Sequence, residues 1–193
     1  MEETSDGAAY SATLAFVLNN ALLRRLRPAE RVLDALDVKP DDIVVDFGCG
    51  PGFYTIPFAK RAKKVIGIDL QAGMLDRAVN YARKSGVNVE FYRSDGRSMP
   101  LPDSTIDLAF MRLVYHELED KGAVLRELSR ILKPDGRLAI MEMTRGLMHR
   151  LFMPRIEVSE IEDSMRGVGL GICSKVQLGN ETMVICRRAQ ALL

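Results

Sequence analysis

The chain carries almost no net charge: 27 basic side chains stand against 26 acidic ones over 193 residues, leaving +1. That balance excludes a general pull toward nucleic acid or an anionic membrane, though not a local basic patch. Cysteine is scarce. Cys49, Cys173 and Cys186 are odd in number and far apart, which argues against a disulfide-stapled secreted scaffold and for reduced thiols in a cytoplasmic protein. No ligand spacing for a metal occurs, so no metal site is expected. No apolar run approaches the roughly 20 residues that a membrane span needs. The start Met1-Glu2-Glu3 lacks the basic and then apolar order of a secretory signal. Internal repeats and low-complexity linkers are missing too. What remains is 47% hydrophobic and 27% charged, a composition for one globular domain over 1–193 with a substantial core.

One stretch organises the rest. Ile43-Val44-Val45 is a β-branched run of the kind buried on both faces of a parallel sheet, and it stops at Asp46. Gly48, Gly50 and Gly52 then alternate before a helical pattern begins. Glycine lets a ligand approach the main chain closely, and the helix that follows turns its free N–H groups toward the same place. The turn therefore reads as a ligand-binding loop, although tight structural turns use glycine as well.

Around it, strand and helix alternate. Leu14, Val17, Leu18, Ala21, Leu22 and Leu26 recur at helical spacing, and Pro28 divides an N-terminal helical segment (1–38) into helices over 11–26 and 29–36. Arg24, Arg25, Arg27 and Arg31 cluster at that break. They read either as a solvated face near a helix C-terminus or as a phosphate contact. Within the core (39–193), strands are expected over 43–46, 64–69, 87–93, 106–111 and 137–142. Helices are expected over 53–63, 72–84, 120–132 and 157–167. The helix over 120–132 stops at Lys133-Pro134-Asp135-Gly136. The tail differs: 172–178 and 182–188 flank Gly179-Asn180 and read as an antiparallel hairpin. The expected fold is α/β, a Rossmann-like, seven-stranded, mostly parallel sheet with helices on both faces and an antiparallel C-terminal hairpin.

Glycine spacing narrows the ligand. A dinucleotide fingerprint is G-x-G-x-x-G, whereas here Phe53 takes the third glycine's place. Asp69, ending the second strand, suits a ribose diol because a carboxylate accepts from both hydroxyls. Asp95, after the third strand, suits an exocyclic amine of adenine.

These residues closely resemble the class I S-adenosylmethionine-dependent methyltransferases. The matching stretches are Val45 to Gly52, Gly67-Ile68-Asp69, Ser94-Asp95, Ile106 to Ala109 and Leu132 to Leu138, in order over roughly 40–142, with the hairpin as the family's antiparallel end. The resemblance implies S-adenosylmethionine as cofactor and S-adenosylhomocysteine as product. It implies that Asp46 and the turn Gly48, Cys49, Gly50 and Gly52 hold the methionine portion. Asp69 would take the ribose, with Leu70 beside the adenine and Met74 on the same side. Asp95 and Gly96 would meet the adenine edge. Met111, Arg112 and Leu113 would line the sulfonium side, with Arg112 near the cofactor carboxylate or the substrate mouth. Asp107, at the start of its strand, reads as structural. Arg130 to Thr144 resembles one signature of quinone-biosynthesis methyltransferases, but that group's N-terminal signature is absent, so no quinone substrate is implied.

Methyl transfer is an in-line displacement from a built-in leaving group. The protein aligns the partners and excludes water, and a base is needed only if the nucleophile holds its proton. His116 in Val114-Tyr115-His116-Glu117-Leu118 is the candidate base, and the alternative is a hydrogen bond within its own loop. Cys49 sits near a helix N-terminus, which favours a thiolate, yet it lies within the cofactor motif and receives no catalytic role. Met141, Met143, Met148 and Met153 with Leu151 and Phe152 form either an adaptable wall for an apolar substrate or plain packing. The favoured function is transfer to a small-molecule acceptor. The alternatives are an RNA or protein methyltransferase, an NAD-dependent oxidoreductase, and a non-catalytic S-adenosylmethionine-binding protein.

Overall fold

The computed structural model describes residues 29–144 and 156–188. The expected helix over 11–26, the arginines at 24, 25 and 27, and Met148, Leu151, Phe152 and Met153 lie outside the described residues. In chain order the elements are α1 (Ala29–Ala35), β1 (Ile43–Phe47), α2 (Thr55–Arg61), β2 (Lys64–Asp69), α3 (Ala72–Ser85), β3 (Glu90–Arg93) and β4 (Ile106–Arg112). A 3-10 turn (Tyr115–Glu117) leads to α4 (Lys121–Ile131), β5 (Leu132–Met143), α5 (Val158–Gly167), β6 (Leu170–Leu178) and β7 (Glu181–Arg188). The sheet order is β3-β2-β1-β4-β5-β7-β6. Neighbours from β3 to β5 run parallel, and β7 is antiparallel to both β5 and β6.

Alternation along the strands divides the core. Val45, Phe47, Ile66, Ile68, Ala109, Met111, Leu138 and Ile140 face α4 and α5 through Leu125, Leu128, Ile161 and Met165. Val44, Val65, Leu108, Phe110 and Ala139 face α1 and α2 through Leu33, Tyr54 and Phe58. Period-2 geometry sends neighbours to opposite faces, so an unbroken apolar run such as Val44-Val45 fills both layers. Helix ends follow local chemistry. The Asp120 carboxylate accepts from the Ala123 N–H at 2.8 Å to start α4. Gly86, at φ 66°, ends α3 by donating its N–H to the Ala82 and Arg83 carbonyls.

Two boundaries depart from the sequence reading by more than two residues. β3 starts at Glu90 rather than 87, because its partner in β2 pairs only from Ile66, opposite Glu90. β5 starts at Leu132, ahead of the expected Arg137. Ile106 pairs with Leu132 and Leu108 with Arg137, so the Lys133–Gly136 stop becomes an irregularity inside the strand. Asp107 is structural, as expected. It accepts from the Ile43 N–H at 2.9 Å and holds Lys133 Nζ at 2.8 Å, fastening the start of β4 to β1 and β5.

Candidate functional site at the carboxyl ends of the strands

In a parallel sheet of this order, β1 and β4 are central neighbours, and the loops leaving their carboxyl ends define a crevice. The glycine turn leaves β1 there. Gly48, Gly50 and Gly52 all have positive φ (69°, 51° and 89°), a region costly for other residues. The first two serve different ends. A Cβ on Gly48 would lie 2.2 Å from Val114 Cγ2, so this glycine lets the loop after β4 close onto the turn. A Cβ on Gly50 would meet nothing within 4 Å, so its face is open. The Gly48 and Cys49 N–H groups anchor the turn on the Ile68 carbonyl of β2, at 2.7 and 2.9 Å.

Asp46 lies beneath this turn, 3% exposed. One carboxylate oxygen accepts from the Thr55 hydroxyl at 2.5 Å. Burial pushes its carboxyl up to about 7, against the Thr55 hydrogen bond. Asp69 takes the Gly50 N–H on one oxygen at 2.8 Å and the Gln71 N–H on the other at 2.9 Å. Burial raises it too, and those N–H groups hold it back. Leu70, next along, is 58% exposed. Met74 is half-buried on the first turn of α3.

Asp95 is differently placed. Its oxygens accept from the Arg97 N–H at 3.0 Å and Nε at 2.8 Å. The backbone and then the side chain of Arg97 hold its carboxyl below the usual range. Gly96 is buried, and a Cβ there would lie 2.4 Å from Phe47 Cζ.

Near the end of β4, Met111 is fully buried in the layer facing α4, while Leu113, just past the strand, has φ 55°, strained for a bulky residue. Its N–H donates to the Met141 carbonyl at 2.9 Å, which ties the loop to β5. Arg112 binds the two oxygens of Glu181 with its Nε and Nη2 at 2.8 and 2.6 Å. The guanidinium also lies 5.5 Å from the centroid of the Tyr54 ring. A planar fork on a bidentate carboxylate is a strong pair, and here it joins the end of β4 to the start of β7.

Two readings of reactivity change. The Cys49 thiol is buried, and that burial, with the charges of Asp46 and Asp69, pushes it far up, so the helix terminus gains no thiolate. Cys186 is buried, with its Sγ 3.5 Å from the Leu138 carbonyl, which is packing. The side chain of Cys173 lies outside the described residues. His116 does bond to a neighbour, but one on another element. Its Nδ1 is 3.0 Å from Glu142 Oε2 of β5, and its Nε2 is 3.8 Å from Glu117 Oε1. Burial pulls the imidazole down, but the Glu142 hydrogen bond and the charges of Glu142 and Glu117 outweigh it, and the net shift is upward. Sequence reasoning did not single out Glu142, Glu181 or Thr55. For Glu142 a signal existed: an acid interrupting the apolar run Leu138-Ala139-Ile140-Met141 at a strand's carboxyl end.

The site thus offers a buried carboxylate suited to a cation, a second carboxylate suited to a diol, an exposed leucine suited to an aromatic face, and an open glycine. Residues 45–140 match a family described as a methyltransferase domain. A malonyl-[acyl-carrier protein] O-methyltransferase of Yersinia pestis is 35% identical over 109 residues, 56% of this chain and 39% of that protein. A demethylmenaquinone methyltransferase of Corynebacterium kroppenstedtii is 35% identical over 109 residues, 56% of this chain and 45% of that protein. The chain therefore spans less than half the length of these curated relatives. The crystal structure of a SAM-dependent methyltransferase from Aquifex aeolicus is similar at TM-score 0.84 and 28% identity, covering 94% of this chain and 100% of that one. Among the described residues no helix is long and apolar enough to cross a membrane, and no cluster suits a metal ion.

Proposed function

Because the chain belongs to the class I S-adenosylmethionine-dependent methyltransferases, we propose that it transfers the methyl group of S-adenosylmethionine to a small-molecule acceptor. The observation that carries this reading is Asp46, a buried carboxylate with one hydroxyl partner at the foot of an open glycine turn. An ionised carboxylate in such a place is costly unless a cation joins it, and an α-ammonium group meets that need. Asp69 keeps lone pairs beyond its two N–H partners for a ribose diol, and Leu70 presents apolar surface for an adenine face. Asp95, with Arg97 across both oxygens, contributes less to the adenine amine than its position in the sequence suggests. We read Arg112 as a tie between β4 and β7, because Glu181 takes its Nε and Nη2.

When bound, the cofactor supplies a methyl group on a sulfonium, which is its own leaving group. The residues of this chain bind and orient it. The strained turn at Leu113 and the Val114–Gly48 contact fix the loop after β4 against the glycine turn and help exclude water. His116, carried on that loop, is the group placed to hold a proton. The small-molecule preference rests on the relatives, which are named for acyl-carrier and quinone substrates.

Calorimetry tests the core of this reading. S-adenosylmethionine and S-adenosylhomocysteine are expected to bind with micromolar affinity, and NAD not measurably. NAD binding with no response to either sulfur ligand would sink the proposal.

A further inference from the structure

Resting on the methyl-transfer reading, we propose that His116 and Glu142 form the proton-accepting pair of the site, and that the acceptor is a protic nucleophile (a hydroxyl, enol or amine) rather than a carboxylate. The placement comes first. The turn Tyr115–Glu117 leaves the carboxyl end of β4, and Val114 at its start lies against Gly48. His116 is therefore carried to the rim of the glycine turn.

Orientation comes second. An ionised carboxylate only accepts hydrogen bonds, so contact with Glu142 Oε2 at 3.0 Å puts the proton on Nδ1. Nε2 then keeps its lone pair. Its nearest acid, Glu117 Oε1, stands at 3.8 Å, beyond hydrogen-bond reach. The imidazole is thus set as a base at Nε2, with its other nitrogen held from behind.

The third observation is Glu142 itself. Its side chain is 2% exposed and its Oε1 is buried without a hydrogen-bond partner. A buried acceptor left unmade is expensive, and more so when charged. A neutral side chain would hold an imidazole in place at less cost. What the carboxylate adds is negative charge against the ring, which stabilises the imidazolium formed when a proton arrives. The charged groups around His116 act in the same sense. Among the described residues, Glu117 on its own turn and Glu142 on β5 favour the cation, and Lys121 on α4 opposes it, as does burial. The charge of Arg112 on β4 also reaches Glu142, but its hydrogen-bonding fork is held by Glu181.

This arrangement selects among acceptors. A carboxylate is already ionised and needs no base, and it would meet Glu117 and Glu142 as like charges. A hydroxyl, enol or amine holds a proton that must leave. In the step proposed, the acceptor–carbon bond forms as the sulfur–carbon bond breaks, and the electron pair of that bond stays on sulfur as the neutral thioether. The acceptor's proton passes to His116 Nε2, and the imidazolium is held by Glu142 until solvent removes the proton.

The test uses the full chain with isotopically labelled histidine. His116→Gln identifies the His116 resonance against that of His149. In Glu142→Gln the titration midpoint of His116 is expected to fall and its Nδ1–H preference to weaken, with S-adenosylmethionine affinity unchanged within twofold by calorimetry. An unmoved midpoint overturns the pair. The acceptor class is read by incubating the enzyme with methyl-labelled S-adenosylmethionine and a macromolecule-free metabolite extract, then treating the products with mild base. Methyl ethers and N-methyl products retain the label, as expected here, whereas methyl esters release volatile methanol and would overturn the inference. Glu142→Gln is expected to lower kcat about tenfold or more with the KM for S-adenosylmethionine unchanged. The rising limb of its pH profile should move down with the resonance midpoint. Failure to bind S-adenosylmethionine at all would instead overturn the transfer reading. The response of His116 to Glu142→Gln, read without cofactor, would remain separately visible.

Discussion

Asp46 ties the ligand to pH. Its carboxyl is raised by burial to about 7, above the ordinary 3.8, so between those values the folded state holds a proton that the unfolded chain releases. Stability without ligand is expected to fall as pH rises from about 4 through about 7. Asp46→Asn removes that slope, which urea denaturation at a series of pH values measures. Binding has the opposite sense. A cationic ligand requires the ionised carboxylate, so S-adenosylmethionine affinity should weaken about tenfold per pH unit below about 7. In Asp46→Asn it should fall at least about a hundredfold at pH 8. Calorimetry in buffers of different ionisation enthalpy counts the released proton, and affinity flat from pH 5.5 to 8 would contradict the assignment. The contribution of His116 to stability runs in the same direction. Its folded value is raised, so the stability it gains from Glu142 is complete below about 6.5 and is lost as pH rises through the folded value.

At the scale of elements, the fastening of β4 to β7 matters most. Arg112 and Glu181 are 15% and 4% exposed in their side chains, with two hydrogen bonds between them. Lysine supplies charge without the planar fork, so Arg112→Lys leaves part of Glu181 unmatched. The expected cost is about 3 kcal/mol in urea denaturation, with S-adenosylmethionine affinity unchanged within twofold. A large loss of affinity with little loss of stability would return Arg112 to the cofactor. A second fastening of this kind, Arg137 on Asp42 at 2.6 Å with the Leu36 carbonyl at 3.0 Å, holds the end of α1 on the sheet.

For the molecule as a whole, the sheet separates two apolar layers, and their energetics should be separable. Phe58 belongs to the layer facing α1 and α2, and Leu128 to the layer facing α4 and α5; both are fully buried. Phe58→Ala and Leu128→Ala should each cost about 3 kcal/mol. The double variant should match their combined effect within about 0.5 kcal/mol, since the strands stand between them. Coupling beyond that in denaturation experiments would mean that the two layers relax together.

The sequence alone determined the order of elements. Apolar period and turn chemistry are local, so the strands that carry Asp46 and Asp69, the glycine turn and the Gly179-Asn180 hairpin were legible residue by residue. The parallel order followed from the alternation of strand and helix. Only the tertiary structure decided which charges meet. Arg112 and Glu181 are far apart in the chain, as are His116 and Glu142, and a salt bridge or a proton-accepting pair leaves no periodic trace. The same reason withholds a thiolate from Cys49, which received no catalytic role from the sequence. A helix terminus is visible in sequence, but burial beside two carboxylates, which raises the thiol, depends on what the folded chain packs around it.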